Sequence, residues 1–92
     1  MIKLNSNQGY STDGETWALI EQLASAAEAK VQRFVVRSDL GCGSTIGPIT
    51  AGRIGLRTVD VGSPLLSMHS IREMAAVADV DAMVRVLSAL FA

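Results

Sequence analysis

Gly41-Cys42-Gly43-Ser44-Thr45-Ile46-Gly47-Pro48 opens a stretch that continues through Leu56-Arg57-Thr58-Val59-Asp60-Val61 and closes on Ser67-Met68-His69-Ser70-Ile71-Arg72-Glu73. It holds the only cysteine, the only histidine, both prolines and the tightest glycine cluster of the chain. A glycine-rich turn, an apolar run and a helix-cap word follow one another here, and this alternation sets the fold class. Pro48 suits the start of a short helix through Ile54, and Gly55 suits its left-handed C-terminal position. Leu56 to Val61 predicts a strand, ended by Gly62-Ser63-Pro64. Ser70-Ile71-Arg72-Glu73 has the spacing of a capping box and predicts a helix through about Val77. Asp79 is then expected to cap a last helix, with Val80, Met83, Val84, Leu87, Leu90 and Phe91 on one broad face.

The same alternation holds upstream. Ile2-Lys3-Leu4-Asn5 alternates apolar and polar, as a half-buried strand does, with Lys3 and Asn5 sharing one face. Asn5 to Tyr10 is polar and turn-like. Thr12-Asp13-Gly14-Glu15 reads as a capping box with Thr12 as the cap, opening a helix to about Ala29. Ile20, Leu23, Ala24 and Ala27 recur on one helical face, with Trp17 one turn earlier, and form a core stripe. Val31 to Arg37, centred on Phe34-Val35-Val36, predicts a strand covered on both faces. Strands alternating with helices predict one α/β domain over residues 1–92 with a mainly parallel sheet.

Composition narrows the function classes. The chain has 92 residues, of which 49% are hydrophobic and 4% aromatic. That is enough for a core of Ala, Val, Leu, Ile and Met, and its surplus implies apolar surface facing a partner or another part of a larger protein. The 8 basic and 9 acidic residues give a net charge of −1, and the basic ones are scattered. Nucleic acid is therefore not the expected partner, because phosphate binding needs clustered positive charge. No apolar run approaches the ~20 residues that span a bilayer, so no membrane partner is expected. A lone cysteine and the absence of a signal-peptide pattern point to a reduced, cytoplasmic setting.

Two residues invite chemistry. His69 stands just before Ser70, where a layered α/β fold exposes side chains at its ligand-binding lip. It reads either as a satisfied structural histidine or as one ligand of an incomplete metal site. A catalytic zinc needs about three protein ligands, and the spacing of Asp39, Asp60 and Glu73 does not itself specify the others. Cys42, between glycines, reads either as a nucleophile with His69 as its base or as a small residue in a tight loop. Gly41-x-Gly43-x-x-x-Gly47 matches neither a dinucleotide fingerprint nor a Walker loop; it marks a backbone shaped for close approach to a neighbouring segment or a ligand.

Taken together these words resemble the C-terminal end of the M18 family of metalloaminopeptidases, the aspartyl aminopeptidases. The matching segments are Ile2-Lys3-Leu4-Asn5 with Asn7-Gln8-Gly9-Tyr10, then Arg37-Ser38-Asp39, Cys42 to Ile49, Gly55 to Gly62, and Leu66 to Met74. The resemblance implies a partial three-layer α/β/α sandwich of the zinc-peptidase type, with a mixed, mainly parallel sheet. It implies a metal-dependent hydrolase that releases N-terminal Asp or Glu from peptides using two divalent metals, usually zinc, and that assembles into homo-oligomers. By the same resemblance His69 is a metal ligand, Lys3 and Tyr10 line the pocket for the acidic side chain, and Gly43, Ser44 and Thr45 border the cleft. An ammonium suits an acidic side chain, and a metal pair activates water and polarises the scissile carbonyl. Gly9 stands where the family usually has arginine, and Gly41 where proline is common. The remaining metal ligands, the general base and the dimerisation domain are expected upstream of this stretch. The chain then reads as the C-terminal part of a larger catalytic domain, inactive alone, with the missing upstream part as its partner. A second reading is a non-catalytic interaction module or truncated product that self-associates through exposed sheet edge and apolar surface.

Overall fold

The alternating word at the N-terminus becomes β1 (Ile2–Asn5), the central strand of a three-stranded sheet. The structure, a computed structural model, describes residues 1–5, 12–40 and 46–92. The other elements are α1 (Gly14–Ala26), β2 (Arg33–Val36), α2 (Ile46–Ile54), β3 (Asp60–Val61) and α3 (Val77–Phe91). The strand order is β2-β1-β3. β1 and β2 run parallel with Ile2 opposite Arg33 and Asn5 opposite Val36, so the chain must cross over between them, and α1 is that crossover. β3 is antiparallel to β1, with Ile2 opposite Val61 and Lys3 opposite Asp60. The sheet is therefore mixed, and its parallel pairing is the longer one.

The core is small. Ile2, only 1% exposed, meets Ile20 and Ala24 of α1 and Val86 of α3, with Trp17, Leu23, Val59 and Val61 packed around them. Full burial of a side chain such as Ile2 contributes about 1.5–3 kcal/mol. The α1 stripe thus does what its spacing predicts, and α1 and α3 together cover the face of the sheet that carries Ile2.

Several boundaries differ from the sequence reading. The cap of α1 is Asp13, whose carboxylate accepts from the Thr16 N–H at 2.8 Å while Thr16 Oγ1 accepts from the Asp13 N–H at 3.0 Å. Both partners of the box are thus one residue further along than expected. Thr12 is buried and turns its hydroxyl to β3, accepting the Asp60 N–H at 2.8 Å. The far end of α1 closes at Ala26, short of Ala29. The Ala29 N–H bonds to the Ala24 carbonyl and the Glu28 N–H to the Ser25 carbonyl, a Schellman closure with Glu28 left-handed at φ 54°.

β3 is shorter than the expected Leu56–Val61. Residues 56–59 are irregular instead: Arg57 pairs with Glu15 at the start of α1 at 3.3 Å, and the Thr58 hydroxyl bonds back to the Leu56 carbonyl. β2 is not covered on both faces: Val35 is 62% exposed and Phe34 is exposed too, and β2 is also an edge strand of the described sheet. Gly55 is left-handed after α2 as expected, at φ 69°. The expected helix from Ser70 to Val77 is a turn, described below. α3 begins at Val77 with Ala76 as its cap; Asp79 sits in the first turn, where its charge favours the helix dipole without capping it.

Candidate functional site

Leu66 and Met74 form an antiparallel bridge, with both backbone hydrogen bonds made at 2.9 and 3.1 Å. The intervening segment is therefore a closed loop with His69 near its tip. Helix was the expected form for Ser70-Ile71-Arg72-Glu73, but the local polar groups are used differently. The Ser70 hydroxyl donates to the Ser67 carbonyl at 2.6 Å and accepts the Arg72 N–H at 3.0 Å. The Ser70 N–H also reaches the Ser67 carbonyl, at 3.1 Å. The Glu73 carboxylate does reach back as a capping glutamate would, yet it accepts the N–H of His69, one residue earlier than a box would require. Serine as a turn-former outcompetes serine as a helix cap here.

The backbone of this loop is unusual. Ser67 and His69 both have positive φ, 56° and 69°, with no glycine to ease either position. Such residues cost about 1–3 kcal/mol each and persist only where surrounding contacts hold them. His69 is exposed, as are Ser67, Met68, Ser70, Ile71, Arg72 and Glu73. Its imidazole is thus offered to whatever lies beyond the loop.

Lys3 lies in the centre of β1, between Asp60 of β3 and Phe34 of β2. Its aliphatic stem runs beside Gly62: a Cβ at that glycine would stand 3.2 Å from Lys3 Cε and 3.3 Å from Nζ. Gly62 therefore leaves room for the ammonium, a role its reading as a strand terminator missed. Tyr10, Gly43, Ser44 and Thr45, with Gly9, Gly41 and Cys42, lie outside the described residues.

The three carboxylates considered as extra ligands are spread out. Asp39 pairs with its neighbour Arg37 at the turn after β2, Nε to Oδ1 at 3.0 Å and Nη2 to Oδ2 at 2.5 Å, both side chains being exposed. Asp60 lies on β3 beside Lys3, and Glu73 is engaged by the His69 amide. Among the described residues no group of three or more His, Cys, Asp or Glu side chains converges as a metal site. An exposed imidazole on a braced loop has the chemistry of one zinc ligand, and the described residues do not by themselves complete a zinc site. An apolar cavity of about 70 Å³ between β1 and α3, lined by Ile2, Ile20, Val61, Met83 and Val86 among others, includes none of the predicted site residues.

The described architecture, a small mixed α/β sheet with three helices, is similar to solved aminopeptidase structures. A chain in the cryo-EM structure of the Ape4 and Nbr1 complex matches with a TM-score of 0.90 and 47% identity, covering 98% of this chain and 17% of that one. The crystal structure of prApe1 matches with a TM-score of 0.88 and 39% identity, covering 98% of this chain and 19% of that one. The family model described as aminopeptidase I zinc metalloprotease (M18) matches residues 1–91, and the chain belongs to that family. A probable M18 family aminopeptidase 2 of Pseudomonas syringae pv. syringae (strain B728a) is 58% identical over 92 residues, all of this chain and 21% of the relative. The corresponding protein of Pseudomonas aeruginosa (strain LESB58) is 54% identical over 92 residues. The chain thus spans about a fifth of the length of the curated relatives it matches.

Proposed function

We propose that this chain is the C-terminal part of the catalytic domain of a metal-dependent aminopeptidase that releases N-terminal Asp or Glu from peptides. The observation that carries the reading is the family match over residues 1–91, with the chain's single histidine exposed on a braced loop. In this proposal His69 supplies one ligand to a site of two divalent metals whose other ligands, with the general base, belong to the upstream part. The metal supplies Lewis-acid polarisation of the peptide carbonyl and activation of water when bound. Lys3 offers its ammonium to the acidic side chain of the substrate, helped by Tyr10, while Gly43, Ser44 and Thr45 border the cleft. Gly62 keeps the Lys3 stem unobstructed. The whole enzyme is a cytoplasmic homo-oligomer with a three-layer catalytic domain, of which the present sheet and the α1–α3 layer are a part. The 92-residue chain alone is inactive.

Two substitutions test the reading in a full-length enzyme carrying this segment. Lys3→Ala is expected to reduce kcat/KM for acidic N-terminal residues by more than tenfold, roughly the loss of a charge-assisted contact, and to spare neutral ones. Equal losses on both would sink the pocket assignment. His69→Ala is expected to lower the zinc content after dialysis; a full complement would remove His69 from the ligand set.

A further inference from the structure

We infer that Glu73 is a positioning residue for His69: its carboxylate, bound to the His69 backbone N–H, holds the loop in the conformation that presents the imidazole to a divalent metal. The inference rests on His69 being a ligand, as proposed above. Its starting point is the backbone. Ser67 and His69 are both left-handed, a state that non-glycine residues leave readily unless held.

The bracing divides into two parts. Ser70 secures the first half of the loop by binding the Ser67 carbonyl twice, once through its hydroxyl and once through its N–H. The second of these closes a four-residue turn with His69 at its third position, but neither uses the His69 N–H itself. Glu73 does, through a carboxylate acceptor, and such charge-assisted bonds are stronger than neutral ones. Glu73 itself is anchored, because Met74 beside it is tied to Leu66 by a pair of backbone bonds. The carboxylate therefore spans from the fixed base of the loop to its tip. Metal ligands are commonly oriented through a hydrogen bond on the ring; here the orienting bond is on the main chain, and it fixes the direction of the Cα–Cβ bond. The side chain is exposed, so its contribution to core packing is small.

The experiment uses the full-length enzyme with this segment, native or joined to the upstream part of a curated relative, loaded with zinc or cobalt. Glu73→Ala is expected to release zinc to a chelator about tenfold faster and to alter the visible Co(II) spectrum. Glu73→Gln keeps a neutral Oε1 acceptor and is expected to recover both properties. His69→Ala separates the two ideas: if it retains metal, the ligand reading fails. If it loses metal while Glu73→Ala has unchanged release and spectrum, the positioning role alone is overturned. Gln behaving like Ala also overturns it, since a carboxylate that binds metal directly gives that result. Should Glu73→Ala fail to fold, exchange of the His69 amide hydrogen in the unaltered enzyme decides: slowed exchange supports the contact, and exchange at the rate of an open chain removes it.

Discussion

Glu28 occupies the left-handed position that glycine usually fills after a helix. Its side chain is exposed, and the closure of α1 depends on its main chain rather than on its carboxylate. Glu28→Gly is therefore expected to stabilise the protein by about 1 kcal/mol, the relief of left-handed strain in an L-residue, offset partly by the greater freedom of glycine when unfolded. Thermal unfolding measures the gain, and an unchanged or lowered Tm would show that the closure is not strained. The same residue explains why the helix end was illegible: the usual glycine mark is absent. At the candidate site the order was reversed. His69 was conspicuous because it is the only histidine, whereas the Glu73 contact hid inside a word that reads equally well as a helix cap.

The elements show where local chemistry competes with itself. Asp13 caps α1 and its carboxyl is held below the ordinary value of 3.8, first by the Thr16 backbone N–H and then by the Thr16 hydroxyl. A carboxyl depressed in the folded state contributes stability that is present above its unfolded pKa and is lost as pH falls through the folded pKa. Stability is thus expected to decline below about pH 4, the region where an unperturbed aspartate begins to protonate. Asp13→Asn keeps a competent cap while removing the titration. Urea unfolding across that range should show a shallower acid decline for Asp13→Asn; parallel curves would contradict the assignment. The sequence reading makes Thr12 the cap because Glu15 stands three residues on, although Asp13 is as good a cap. The buried Thr12–Asp60 hydrogen bond decides between them, because only the observed register frees the Thr12 hydroxyl for β3.

On the scale of the whole molecule, the apolar surface stands out. α3 buries Val86 against the core, yet Val77, Val80, Val84 and Phe91 are exposed, the last at 82%. Ile46, Ile49 and Ile54 of α2 are exposed as well, together with Leu66, Ile71 and Met74 around the His69 loop. The chain spans 21% of the Pseudomonas syringae relative, and under the reading proposed above the rest of the enzyme covers these faces. The remaining part of a Pseudomonas relative, expressed separately and mixed with this chain, is then expected to raise its Tm as concentration increases, as mass action requires. A Tm independent of that addition would argue that the exposed faces belong to no such assembly.

The alternation of Ile2 to Asn5, the α1 stripe and the glycine after α2 made the α/β class and three of the elements legible, because each is written as a local pattern of residue types. The helical period of α3 was also legible, but its buried residue, Val86, lay outside the face expected to pack. Several apolar positions compete for the core on that helix, and their choice depends on where α1 and β1 stand. Likewise, β3 joins antiparallel, β2 is left at an edge and the His69 loop closes without a helix, because each outcome depends on partners distant along the chain. The sequence by itself determined the family, through words that span residues 1–91, and singled out His69 and Lys3 as candidates for chemistry. Only the tertiary structure decided how the histidine is held, since the bracing depends on the geometry of a closed loop that residue identities leave open.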